Sequence, residues 1–295
     1  MLKRLALVIL LAGTLVSCEK AISFKPRNAE PTVVIEATIE NGQPPMVILS
    51  HSLQYFSKIS PDSLAASFIH QAEINISNGS KTHRLKEYAF PANNGYTVYY
   101  YSIDSTNLAT AFLGEFNKGY SLQVKTGGKE YTAVTTIPNL TKTFDSIWWK
   151  PAPNNPDSNK VIVMGRTTDP PGFGNYIRFF TQSNAEPFLP GYTSVFDDQI
   201  VDGKTYEIQI EHGVNRNESI DLEDYAFFYR GDVVSVKLCN IDKATFDFWR
   251  TMEYNYTSIG NPFSSPVKVL SNIQGGGLGY FGGYAVQYST LVIPR

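Results

Sequence analysis

The chain sets 25 Lys and Arg against 27 Asp and Glu over 295 residues, a formal net charge of -2 with histidine neutral. No basic cluster follows Arg4, so the positive surface that phosphate backbones require is missing and no nucleic-acid partner is expected. The length exceeds the ~100 to 200 residues of a usual domain, which suggests two, each able to bury a core.

Lys3 and Arg4 precede an apolar run, Leu5 to Val16, that stops at Leu15-Val16-Ser17-Cys18. This has the anatomy of a lipoprotein signal: the small Ser17 lets a peptidase cut before Cys18, whose sulfur carries diacylglycerol and whose freed amine is then acylated. The run is shorter than the ~20 apolar residues that span a bilayer. Residues 1–17 therefore read as a signal peptide, and 18–31, with Pro26, Asn28 and Pro31, as the lipidated cysteine and a tether. Two or three acyl chains, at ~0.8 kcal/mol per buried methylene, anchor a domain to a membrane far more firmly than one.

From Thr32 the pattern is that of strands. Thr32 to Ile39 is β-branched and partly alternating, and Asn41-Gly42 signals a tight turn before Met46 to Ser50. Ser60 to His70 reads as a loop. Ala72 to Ser77 and Thr82 to Tyr88 flank Asn78-Gly79; Tyr96 to Ile103 is rich in Tyr and Val; Gly119 to Lys125 and Glu130 to Thr135 flank Gly127-Gly128. Short strands with turns between them and no sustained 3.6 period predict an all-β fold. Residues 32–140 would form an immunoglobulin-like or transthyretin-like β-sandwich.

Residues 141–295 read as a second β-rich domain with strands at 144–150, 161–167, 176–181, 205–210 and 232–239 and a last strand from Tyr284 to Ile293. The three prolines of Pro151 to Pro156 make that stretch a surface loop. One amphipathic helix interrupts the strands: Asp242 can cap it, and Phe246, Trp249, Met252 or Glu253, and Tyr256 recur at helical spacing over 243–257. Core packing is its expected role, with a helix-in-groove contact as the alternative. With Cys18 consumed by lipid, Cys239 has no disulfide partner, and its strand setting points to a buried, inert thiol.

No motif carries chemistry. Gly277-Leu278-Gly279-Tyr280-Phe281-Gly282 matches a dinucleotide-binding pattern, but too few residues follow for the helix and the acid-bearing second strand. Its glycines instead suit a bulge or positive φ before the last strand. Arg230-Gly231-Asp232 reads as a turn, Asp197-Asp198 with Asp202-Gly203 lacks the closing Glu of a calcium loop, and Ser265 to Lys268 lacks a helix to set Lys beside Ser. The four histidines, His51, His70, His83 and His212, lack zinc spacing. No catalytic residue, metal or cofactor is expected. Adjacent aromatics, among them Trp148-Trp149, must send at least one ring away from the core if they lie on a strand. In the glycine-rich segment 261–283, Phe263, Tyr280 and Phe281 are either staples onto the core or ligand contacts. Tyr280, Phe281, Phe263, Trp148 and Trp149 are thus the candidate ligand or partner contacts.

Ser17-Cys18-Glu19-Lys20, the strand at 32–39, Gly119 to Leu122 with Tyr131-Thr132-Ala133, Val201 to Tyr206, and the ending Asn261-Pro262-Phe263, Ser271-Asn272-Ile273 and Gly277 to Gly282 together resemble the bacteroidetes lipoproteins catalogued as domain of unknown function 4249. The likeness spans nearly the whole mature chain and is most specific in the C-terminal part. It implies an outer-membrane lipoprotein encoded beside a TonB-dependent transporter, and it brings no catalytic residue. The resulting expectation is a non-enzymatic accessory that captures ligand for, or assembles with, a β-barrel transporter, on either face of the membrane. The alternatives are a surface hydrolase or carbohydrate-processing enzyme with dispersed carboxylates, and an adhesion or envelope-structure module.

Overall fold

Apolar residues at every second position dictate the first strand. In β1 (Val33–Glu40), Val33, Ile35, Ala37 and Ile39 are buried and the residues between them are not. The computed structural model describes residues 30–53, 60–91, 97–259, 261 and 263–295. The signal peptide, Cys18 and the tether up to residue 29 lie outside the described residues. β1 turns through Asn41-Gly42, with Gly42 at φ 72°, into its antiparallel partner β2 (Met46–His51). Residues 61–67 correct the expectation of a loop, because they form a helix, α1 (Pro61–Ser67). Ser60 and Ser63 bond each other's backbone N–H in a capping box, and Pro61 supplies a preset φ at the first helical position.

Five more strands complete the first half: β3 (Glu73–Ser77), β4 (Thr82–Pro91), β5 (Thr97–Ile103), β6 (Lys118–Thr126) and β7 (Lys129–Ile137). β4 pairs with β3 at its start and with β5 along the rest, so the sheet turns at this strand and wraps a core of Ile35, Ile39, Leu49, Ile74, Ile76, Leu122 and Val124.

The second half contains β8 (Phe144–Pro151), β9 (Lys160–Thr168), β10 (Tyr176–Ser183), β11 (Leu189–Phe196), β12 (Thr205–Ile210), β13 (Phe228–Tyr229), β14 (Val233–Ile241), α2 (Lys243–Thr257) and β15 (Leu278–Val292). Two sheets result. One runs β11-β10-β14-β15-β1-β2-β5-β4-β3-β6-β7, and the other has β9 at its centre with β8 on one side and β12 and β13 on the other. The chain is all-β, with α2 over the residues expected from its periodicity.

β15 begins at Leu278, six positions before the strand expected from Tyr284. Its glycines are the reason the pattern was hidden. β15 lies parallel to β1 with Gly279 opposite Ile35, at φ 98°, and a Cβ on Gly279 would fall 2.0 Å from the Ile35 carbonyl oxygen. Only glycine permits that approach. The connection near residue 140, where a boundary was expected, runs from β7 to β8, and β15 then returns to the first half. Its Phe281 and Ala285 lie in the first core.

β14 shows how the second half is layered. Val234, Val236 and Leu238 face a core shared with Phe144, Val161, Val163 and Ile210 of the small sheet. On the opposite face, Cys239 and Ile241 join Tyr284 and Val286 beneath Phe246 and Phe248 of α2. Asp242 caps α2, accepting a 2.8 Å hydrogen bond from the Thr245 N–H.

Candidate functional site

The long sheet ends at β11 and the small sheet at β12, and between these two ends the second core lies open. An apolar cleft of about 740 Å³ occupies the gap. Ile177 and Phe179 of β10, Leu238 of β14, Phe144 of β8 and Ile208 and Ile210 of β12 form its floor and walls. Strand alternation puts them there: each belongs to or packs against the second core, so the cleft is that core reaching the surface. At the lip the Phe196 ring stacks on Phe179 with centroids 6.0 Å apart, and Ile200 is 83% exposed.

A few polar groups converge on this apolar surface: Asp197, Gln209, Glu211, Tyr225 and Arg250. The Tyr225 hydroxyl donates to Glu211 Oε2 at 3.0 Å, and burial with the adjacent carboxylate pushes the phenol up to about 12. Arg250, from α2, has its guanidinium 5.4 Å from the Phe246 ring centroid and 3.7 Å from Asp247. Apolar walls and a sparse polar rim suit an apolar or amphipathic molecule.

A buried polar network holds the β11 wall in place. Glu253 of α2 is 4% exposed, and its carboxylate accepts from the Ser194 N–H at 3.0 Å, the Ser194 hydroxyl at 2.5 Å and Arg216 Nη2 at 2.8 Å. Arg178 of β10 donates from Nε to the same hydroxyl at 3.1 Å, and its guanidinium lies 3.5 Å from the Trp249 ring centroid. The carboxylate is thus bonded on both oxygens, as a buried charge must be. No group of His, Cys, Asp and Glu among the described residues is arranged to hold a metal ion.

The five residues expected as contacts fall elsewhere and apart. Tyr280 is buried and stacks on Phe248 with centroids 4.5 Å apart, while Phe281 is wholly buried in the first core. The segment before them is tied down by Asn272, which accepts from the Phe281 N–H and donates to its carbonyl. Phe263 is 96% exposed beyond the end of α2. Trp148 and Trp149 point to opposite faces of β8. Trp149 packs on the second core with Arg230 4.9 Å from its ring centroid, and Trp148 carries Lys150 at 5.5 Å. None of the five lines the cleft. The cleft residues escaped sequence reading because each looks like an ordinary core position. Phe196 just before the turn-forming stretch Asp197 to Gly203, and Ile200 within it, were the one available signal.

Fold and cleft together define an all-β protein, built on one long mixed sheet, with an apolar cleft between sheet ends. A family model matches residues 19–290, and the chain belongs to the family described as Domain of unknown function (DUF4249). Comparison with curated proteins gives no match. No helix among the described residues is long and apolar enough to cross a membrane.

Proposed function

We propose that the chain is a non-catalytic outer-membrane lipoprotein, anchored through Cys18, that holds an apolar ligand in the cleft as an accessory of a β-barrel transporter. The cleft carries this reading, because its volume lies within the ~300 to 1,000 Å³ of ligand pockets and its walls are apolar with few polar groups. The anchor is supported by the signal ending at Ser17-Cys18, and the transporter rests on the setting that the sequence resemblance implies.

The ligand arm is tested with an apolar naphthylamine fluorophore. Phe196→Glu and Ile200→Glu place charge at the lip, where 43% and 83% exposure lets each variant fold. Each is expected to weaken binding at least tenfold, about 1.4 kcal/mol, with an unchanged melting temperature. Equal binding by wild type and both variants would remove the cleft from the function. Pull-down of the lipidated chain from outer membranes tests the partner: a co-purifying β-barrel supports it, and recovery of the chain alone counts against it. Asp197 and Glu211, both lining the cleft, are what favour the hydrolase as second reading. Turnover lost in Asp197→Asn or Glu211→Gln would establish it.

A further inference from the structure

Lys142 lies just ahead of β8 and Asp169 just past the end of β9. The two strands pair with Phe144 opposite Thr167, so the antiparallel register brings both side chains to the same end of the ladder. Lys142 Nζ is 2.7 Å from Asp169 Oδ1, and the two side chains are 1% and 0% exposed. Neither that nitrogen nor either carboxylate oxygen makes a hydrogen bond within the described chain. The groups touch, yet the directed bonds that normally compensate a buried ion pair are absent. Several kcal/mol per ion is the usual cost of such burial, and only the mutual attraction of the pair and the Tyr206 ring offset it among the described residues.

Both backbones are held. The Lys142 N–H donates to Asn240 Oδ1 at 2.9 Å while Asn240 Nδ2 donates to the Lys142 carbonyl at 2.8 Å. The Asp169 N–H donates to the Lys204 carbonyl at 2.9 Å. On one side the Tyr206 ring lies 5.2 Å from Nζ. Two reactive groups fixed in contact, with water excluded, have the effective molarity of a well-oriented intramolecular reaction, on the order of 10⁵ to 10⁸ M.

We propose that Lys142 and Asp169 condense into an intramolecular isopeptide bond. One proton passes from the Lys142 ammonium to the Asp169 carboxylate across their 2.7 Å contact; the freed Nζ lone pair then attacks Asp169 Cγ, an N–C bond forms, one C–O bond breaks, and the departing oxygen leaves as water with that proton and a second one from Nζ. One ammonium and one carboxylate give one amide and one water, so no oxidant, reductant or cofactor enters. The product carries no charge into the core. It joins the start of β8 to the end of β9 beside Phe144 and Tyr206, two residues of the cleft wall.

The measurement is mass spectrometry of the full chain purified from membranes. A species one water lighter than its sequence and lipid require is expected. Trypsin should release Glu130–Lys160 joined to Thr167–Arg178, because an acylated Lys142 is no longer a cleavage site and the Lys150-Pro151 bond resists the protease. Lys142→Met and Asp169→Ala should each abolish the joined peptide and show no water loss. Separate, unmodified peptides from wild type overturn the proposal whether or not the variants fold. A water loss that maps to Asp202-Gly203 as a succinimide overturns it equally.

Discussion

Replacing Asp242 by Ala tests how the two halves of the chain are tied. One carboxylate oxygen caps α2 through the Thr245 N–H at 2.8 Å; the other accepts from the Thr135 hydroxyl at 2.9 Å and the Thr136 N–H at 3.0 Å, both on β7. Loss of the cap costs about 1 kcal/mol. The Thr135 bond, part-buried, contributes about 1 kcal/mol, and the exposed Thr136 bond about half of that. Asp242→Ala should therefore destabilise by ~2.5 kcal/mol in urea unfolding. Asp242→Ser keeps a good cap but is too short to reach β7 as well, so it should recover only ~1 kcal/mol of that loss. A double-mutant cycle of Asp242→Ala with Thr135→Val should give a coupling of about 1 kcal/mol. Full recovery in Asp242→Ser, or a coupling near zero, would show that the carboxylate is only a helix cap and that the halves are joined by other contacts.

His83 should make stability depend on pH. Its Nε2 accepts the Asp104 N–H at 3.0 Å, which leaves the proton on Nδ1 to donate to Thr110 Oγ1 at 2.9 Å, and burial lowers its pKa while Asp104 partly opposes this. With the folded pKa below the unfolded one, the unfolded chain binds more protons, so stability falls as pH drops through about 6.5 toward the folded value and levels off below it. Urea midpoints from pH 8 to 5 should decline more steeply in wild type than in His83→Asn; equal slopes would refute the assignment. Cys239 is fully buried and its thiol is pushed up to about 12, chiefly by desolvation, so iodoacetamide should label it only in urea. Labelling of the native chain would contradict that. Phe281→Ala should cost about 3 to 5 kcal/mol as a core cavity, and a loss of probe binding at unchanged stability would instead assign Phe281 a contact role.

What was legible in the sequence follows from the range over which each signal acts. α2 is written in local terms: Asp242 ahead of it and apolar residues at helical spacing within it. The sequence left Met252 and Glu253 as alternatives for one inward position, and the charged residue took it. Glu253 is buried and Met252 is 40% exposed. Its stabilisers, Ser194 and Arg216, lie 59 and 37 residues away, so no local pattern foretells the choice. β11 was missed for a related reason. Pro190 and Gly191 spoil the alternation, and the ladder shifts register between Arg178 and Phe180. Gly279 likewise looks like punctuation until β1 is known to pass beside it. The cleft is the extreme case, since it exists only because β11 and β12 are the ends of two sheets whose order is set by pairing far along the chain. Its lining residues satisfy the rule for core positions, and among the described residues no further strand covers them, which is what makes them a candidate site. A site of that kind is a property of topology, so strand order has to be known before Ile208 or Phe179 can be told from any other buried residue.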